Sequence, residues 1–157
     1  MNCLAVDTSG SHLTVVILKG QETFVKYIDN CNLQHSIVLM PAIEELLEKA
    51  SLEIKDIDCY GACVGPGSFT GIRIGVATVK ALCFAYKKPC LSITSFDTIA
   101  YNKKAGKYLA VIDAKHNGYY VCGYNDKKVV LPPCFMTGEE LEKVKKGYDI
   151  LSFEKLK

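Results

Sequence analysis

The sequence predicts an α/β fold in two lobes. The first has the order βββαβαβα over residues 1–104, and the second, short and incomplete, covers residues 105–157. Three observations point there. β-Branched, alternating runs separated by tight turns open the chain. Two long apolar stretches with helical spacing then alternate with short strand-like runs, the pattern of strands joined by crossover helices. A basic, glycine-containing segment, residues 103–107, then precedes a new set of strands.

Residues 2–7 form a strand pattern ending at Asp7, and Thr8, Ser9, Gly10 and Ser11 supply turn chemistry. Residues 13–18 and 23–28 complete an antiparallel meander, with Gly20 and Gln21 turning between them. A helix is expected over 36–51, with an apolar arc wider than one sheet can cover. Pro41 suits only a first helical turn, which places the regular helix start near Met40. Residues 57–64 read as a fourth strand, 70–86 as a long helix, 90–93 as a fifth strand and 95–102 as a third helix with Ser95 as N-cap. In the second lobe, 108–113, 118–124 and 129–131 read as strands and 138–146 as a helix. The turn between the last two strands falls at Asn125 and Asp126. No internal repeat is visible. The first lobe's order resembles the ribonuclease-H-like lobe of the actin, Hsp70 and sugar-kinase superfamily.

Composition narrows the function classes. No apolar run reaches the ~18 residues of a membrane helix, and the N-terminus lacks a basic, cleavable leader pattern. A cytoplasmic protein without a membrane partner is expected. The eight cysteines are scattered through apolar runs and form no CxxC, which argues for reduced thiols rather than a disulfide scaffold. Cys59 and Cys63 stand four strand steps apart, ~13 Å, too far for a disulfide or a shared metal. His12, His35 and His116 are separated in sequence, and no metal site is expected. A net charge of +2 is low for a dedicated nucleic-acid binder. Lys143, Lys145, Lys146, Lys155 and Lys157 read as a solvated helix face and tail, with an RNA patch as the other reading.

The most informative segment is residues 65–75. Gly65 and Gly67 permit a tight bend, Pro66 stiffens it, and Ser68 or Thr70 can cap the helix that follows. Free N–H groups there could hold an anion, aided by the helix dipole. The other reading is a rigid loop that launches a helix. With Asp7, Thr8, Ser9 and Arg73, the residues Gly65, Gly67, Ser68 and Thr70 form the candidate nucleotide or anion loop. In the helix itself Gly71 and Gly75 stand one turn apart, as do Ala77, Ala81 and Ala85, ridges that let another helix approach. Lys80 is the exceptional charge between 74 and 86. Such a helix is covered on more than one side, either by the first helix or by a partner.

Asp7, Thr8 and Ser9 after the first strand, His35 and Ser36 leading into 39–47, and above all 65–75 resemble the TsaB (YeaZ) family. Residues 95–98 and 111–114 fit as well. This resemblance implies two ribonuclease-H-like lobes and a non-catalytic scaffold in the complex that makes threonylcarbamoyladenosine on tRNA. Its partner would be the catalytic paralogue TsaD, docked through the first-lobe helices and joined by the ATPase TsaE. A homodimer of the lone chain is left open, as is direct contact with tRNA. The implied docking residues are Leu39, Met40, Ile43 and Leu47 on the first helix. On the long helix they are Gly71, Ile72, Gly75, Val76, Val79, Lys80 and Cys83. No catalytic residue and no cofactor of its own is implied; ATP or ADP could sit at the complex interface.

The catalytic relative binds metal partly through His-x-x-x-His, whereas here His35 is followed four residues later by Leu39. One imidazole does not fix a catalytic metal, so His35 reads as a helix-start residue. Asp7 is either a water-mediated Mg²⁺ ligand or a strand-end turn residue. The family's Asp-Ala-Arg is replaced by Asp113, Ala114 and Lys115, and Lys lacks the planar fork of Arg. The alternative function is a free-standing nucleotide-dependent ATPase or phosphotransferase. A peptidase reading has no metal pair and no Ser/His/Asp or Cys/His set to support it.

Overall fold

A computed structural model describes residues 1–31, 34–103 and 105–153. Lys155 and Lys157, and part of the basic linker, lie outside the described residues. The chain divides into two compact units, Met1–Ile93 and Thr94–Lys157.

In the first unit β1 (Asn2–Asp7), β2 (Leu13–Lys19) and β3 (Glu22–Ile28) form the expected antiparallel meander. Helix α1 (His35–Ala50) crosses to β4 (Cys59–Cys63), which pairs parallel to β1. Helix α2 (Phe69–Tyr86) crosses to β5 (Cys90–Ile93), parallel to β4. The sheet order is β3-β2-β1-β4-β5. Alternation puts Leu4 and Val6 of β1 and Leu13, Val15 and Ile17 of β2 into one core with Leu39, Ile43 and Leu46 of α1 and Val79 of α2. Each such aliphatic side chain contributes about 1.5–3 kcal/mol of burial.

Helix α1 starts earlier than expected: it is helical from His35, and Pro41 lies in its interior. The missing Pro41 N–H leaves the carbonyl of Ile37 without its usual partner. Ile37 and Pro41 are both exposed, so water can satisfy that oxygen, which is why the proline is tolerated.

In the second unit α3 (Ser95–Ala100) precedes β6 (Lys107–Lys115), β7 (Gly118–Asn125), β8 (Lys128–Thr137), α4 (Gly138–Val144) and β9 (Asp149–Leu151). The order is β8-β7-β6-β9, with β9 parallel to β6. The lobe expected to stay incomplete thus forms a four-stranded βββαβ sheet. Its boundary lies at Ile93/Thr94 rather than at 104, because Phe96 and Ala100 of α3 bury against Tyr108, Ala110, Cys122 and Tyr124. The helix cap is Thr94, not Ser95: its hydroxyl accepts from Asp97 N–H, and Asp97 returns a bond to the Thr94 N–H. The last meander strand is longer than the expected 129–131. Pro132 and Pro133 sit in it at a register shift on the sheet edge, where no ladder N–H is required. The turn falls at Asp126 and Lys127, both left-handed, with φ 47° and 67°.

Candidate partner-docking interface

The glycine-rich loop is tied to β1 by direct bonds. Ser68 N–H donates to the Ser9 carbonyl at 2.6 Å, and Ser68 Oγ accepts from Gly71 N–H at 3.2 Å. Thr8 Oγ1, buried, donates to the Gly71 carbonyl at 2.7 Å. A Cβ on Gly71 would stand 1.9 Å from the Thr8 carbonyl oxygen, and one on Gly67 2.3 Å from that of Ser9. A Cβ on Gly75 would meet Thr8 Oγ1 at 2.5 Å. These glycines let α2 lie directly on the end of β1. The expected Gly71/Gly75 ridge for a second helix is therefore a helix–strand seam.

The same bonds bear on the anion-loop residues. Ser68 is spent on capping α2, while Asp7 Oδ1 accepts from both Ser9 N–H (2.8 Å) and Ser9 Oγ (2.7 Å). Asp7 thereby closes a turn on its own strand end. Gly65 adopts φ 96°, and Gly67 abuts Ser9. Thr70 and Arg73 are exposed on α2, with the Arg73 guanidinium 5.2 Å from the centroid of the Phe69 ring. His12 Nε2 lies 4.0 Å from Asp7 Oδ2, so the carboxylate stands between Ser9 and the imidazole. A serine nucleophile needs the imidazole to receive its proton; here the Ser9 proton points to Asp7. His35 is buried at the start of α1, with its Nε2 3.1 Å from the His12 carbonyl.

Of the docking residues expected from sequence, six are core. Leu39, Ile43, Leu47 and Val79 are buried, and Gly71 and Gly75 face β1. They cannot meet a partner without unfolding the unit. Ile72, Val76 and Cys83 are half-buried on the flank of α2, and Lys80 and Met40 are exposed. Burial pushes the Cys83 thiol up to about 11, reinforced by its hydrogen bond with Cys90, so it is neutral at physiological pH.

The outermost stripe of α2 includes Ala77, Lys80 and Ala81, which the sequence singled out, and Phe69 and Phe84, which it did not. Of its eighteen residues only Gly71, Gly75 and Val79 are buried. Opposite them stand Phe69, Arg73, Ala77, Lys80, Ala81 and Phe84, all exposed. Phe69 is 75% and Phe84 89% exposed, and Ile37 of α1 is 71% exposed. Spacings of four, four, three and four from 69 to 84 follow a helix–helix seam. The charges Arg73 and Lys80 mark that face in the sequence, because a cation on an apolar helix sits where water or a partner can reach it. Helix α2 is also long and apolar enough, by length and composition, to cross a membrane, contrary to the run-length expectation. In this fold it is the crossover between two parallel strands, seated on β1 and β4.

Comparison with known proteins decides the family. A family model described as TsaD, tRNA N6-adenosine threonylcarbamoyltransferase, matches residues 29–153. The TsaB protein of Bacillus subtilis (strain 168), named for tRNA threonylcarbamoyladenosine biosynthesis, is 32% identical over 133 residues. That alignment takes in 83% of this chain and 58% of the relative. The chain belongs to this family, on its TsaB (YeaZ) side. A TsaB protein of Buchnera aphidicola subsp. Schizaphis graminum is 31% identical, covering 88% of the chain and 66% of that protein. A Pseudomonas aeruginosa structure, described as similar to peptidase YEAZ, superposes with a TM-score of 0.79 at 26% identity, covering 87% of this chain and 66% of that one. This TsaB-type chain therefore has the ribonuclease-H-like fold expected of it and spans about 58–66% of the length of the curated relatives described here.

Proposed function

We propose that this chain is a non-catalytic docking subunit for tRNA threonylcarbamoyladenosine synthesis. On this reading it seats a TsaD-type transferase on the exposed face of α2, together with the exposed Ile37 and Met40 of α1. The observation that carries it is the apolar helix that buries three of eighteen residues in its own unit and presents Phe69 and Phe84 outward. Exposed aromatics flanked by small Ala77 and Ala81 fit a close helix–helix contact. A TsaE-type ATPase and tRNA join through the complex, ATP or ADP at the shared interface, in the cytoplasm. The free-standing phosphotransferase reading is weaker, since Asp7 and Ser68, which it would need for a metal or phosphate, already serve the turn and the cap.

The test is light scattering on a size-exclusion column, with the chain alone and mixed with the TsaD-type protein of the same genome. A one-to-one complex lost in Ala81→Arg, with the variant still folded, supports the docking face. Absence of any complex at low and moderate salt overturns the reading, and ATP turnover by the lone chain, abolished by Asp7→Ala, would replace it.

A further inference from the structure

One end of the second unit's sheet gathers lysines from three separate stretches of sequence. Lys107 opens β6 and pairs in register with Asn125 of β7, which pairs with Lys128 of β8. Residues paired across neighbouring strands share a face, so Lys107 and Lys128 flank Asn125 with backbones about 10 Å apart. Lys127 lies in the turn beside them. On the far side of β6, β9 begins by pairing Asp149 with Tyr108, one residue from Lys107. The segment that leads into β9, with Lys146, therefore approaches this same end.

These four lysines are exposed, and among the described residues none of them enters an ion pair. The nearby carboxylates are otherwise engaged. Asp149 pairs with Lys103, Glu142 pairs with Lys145, and Asp126 accepts from the Gly106 N–H at 2.8 Å. The acids Glu139 and Glu140 sit in the first turn of α4, toward the opposite end of the sheet. The second unit holds eleven of the nineteen basic residues and eight of the seventeen acidic ones, so the chain's positive charge belongs to it. Uncommitted like charges brought together repel one another and do nothing for the fold, whereas they suit a polyanion.

We propose that this end of the second unit contacts the phosphate backbone of RNA, an inference that rests on the tRNA-modification reading above. Every cation in the row is a lysine, a point charge without the bidentate fork that reads base edges, so the contact positions RNA without reading its sequence. Its energy comes from counterion release and weakens steeply with salt.

Fluorescence anisotropy of a labelled, unmodified tRNA transcript with the full chain, from about 50 to 200 mM salt, tests this. The variant Lys107→Gln/Lys127→Gln/Lys128→Gln is expected to bind at least about tenfold more weakly, with a log–log salt slope shallower by about 2 to 3. A control, Lys49→Gln/Lys55→Gln/Lys87→Gln, removes the same charge from the first unit and is expected to leave binding nearly unchanged. Far-UV circular dichroism confirms that both are folded; Lys128→Gln/Lys146→Gln is the second variant should the first unfold, with a slope change of about 1 to 2. Equal loss in variant and control, or no loss in either, overturns the proposal. So does lysine-dependent binding to phosphatidylserine vesicles with tRNA binding unaltered. Co-elution with the TsaD-type protein is read on the same variants. Lost RNA binding with retained co-elution supports the proposal, and wild-type RNA binding without co-elution condemns the docking reading alone.

Discussion

The two units are built on one topology and put their surfaces to different use. Each contains a βββαβ run, with the fourth strand parallel to the first: β3-β2-β1-β4 in one and β8-β7-β6-β9 in the other. In the second unit the sheet carries an apolar cluster with α3 and another with α4. Its helices are short, and they bury Phe96, Ala100 and Leu141 there while the rest of α4's surface is mostly charged. In the first unit α1 is likewise spent, with seven buried residues, but the longer α2 buries three and leaves an apolar stripe in solvent. The first unit therefore shows its surplus as hydrophobic surface, the second as unpaired lysine charge. A repeated fold conserves what each sheet needs inside and says little about what it shows outside.

The comparison can be broken most severely at Val79. It is fully buried, so Val79→Glu places a carboxylate in the core and is expected to unfold the first unit, a loss above about 4 kcal/mol by urea denaturation. In the second unit Leu141→Ala empties the site under α4 and should cost about 3 kcal/mol, followed by tyrosine fluorescence. Gly71→Ala tests the seam. Its methyl meets the Thr8 carbonyl, and although alanine favours helix by about 1 kcal/mol, the clash should win with a net loss near 2 kcal/mol. Ala81→Arg should move stability by less than about 0.5 kcal/mol while weakening partner docking at least about tenfold. Contrasting behaviour at 79 and 81 is the sharpest evidence for which side of α2 faces out.

The smallest effects are electrostatic. Burial holds the Tyr60 hydroxyl up to about 12, with its proton on the Ile54 carbonyl at 2.8 Å. The raised value favours the neutral phenol in the folded state. Its contribution is whole below pH 10 and disappears as pH climbs toward 12, a loss that Tyr60→Phe should flatten in an alkaline titration. Lys26, then Lys49, hold the Glu45 carboxylate down to about 2, bridging β3 to α1. That contribution is complete above the ordinary 4.5 and is lost as pH falls toward 2. The pair is exposed, so the change should be slight and should shrink further with added salt.

Most elements were legible because their signals are local. The meander at 2–28, the loop at 65–68 and the strand at 90–93 each carry their alternation or turn residues within a few positions. Boundaries failed where a distant contact decided them. Pro41 sits mid-helix on an exposed side that it shares with Ile37, and α3 belongs to the second unit because Phe96 buries there. Of the eleven docking residues expected from sequence, six proved to be core, because an apolar helix does not show in sequence which side its sheet takes.

The sequence alone determined the α/β class, the order of strands and helices, the family on residues 65–75, and that α2 has more apolar surface than one sheet can absorb. Those follow from periodicity, turn chemistry and composition, which neighbouring residues express without knowing where the chain goes next. Tertiary structure decided which side of α2 is outward and which lysines are neighbours. An apolar helix reads alike all round until Thr8 and Ser9, just after β1, claim Gly67, Gly71 and Gly75. Likewise Lys107, Lys128 and Lys146 share an end only because β6, β7, β8 and β9 pair in one register.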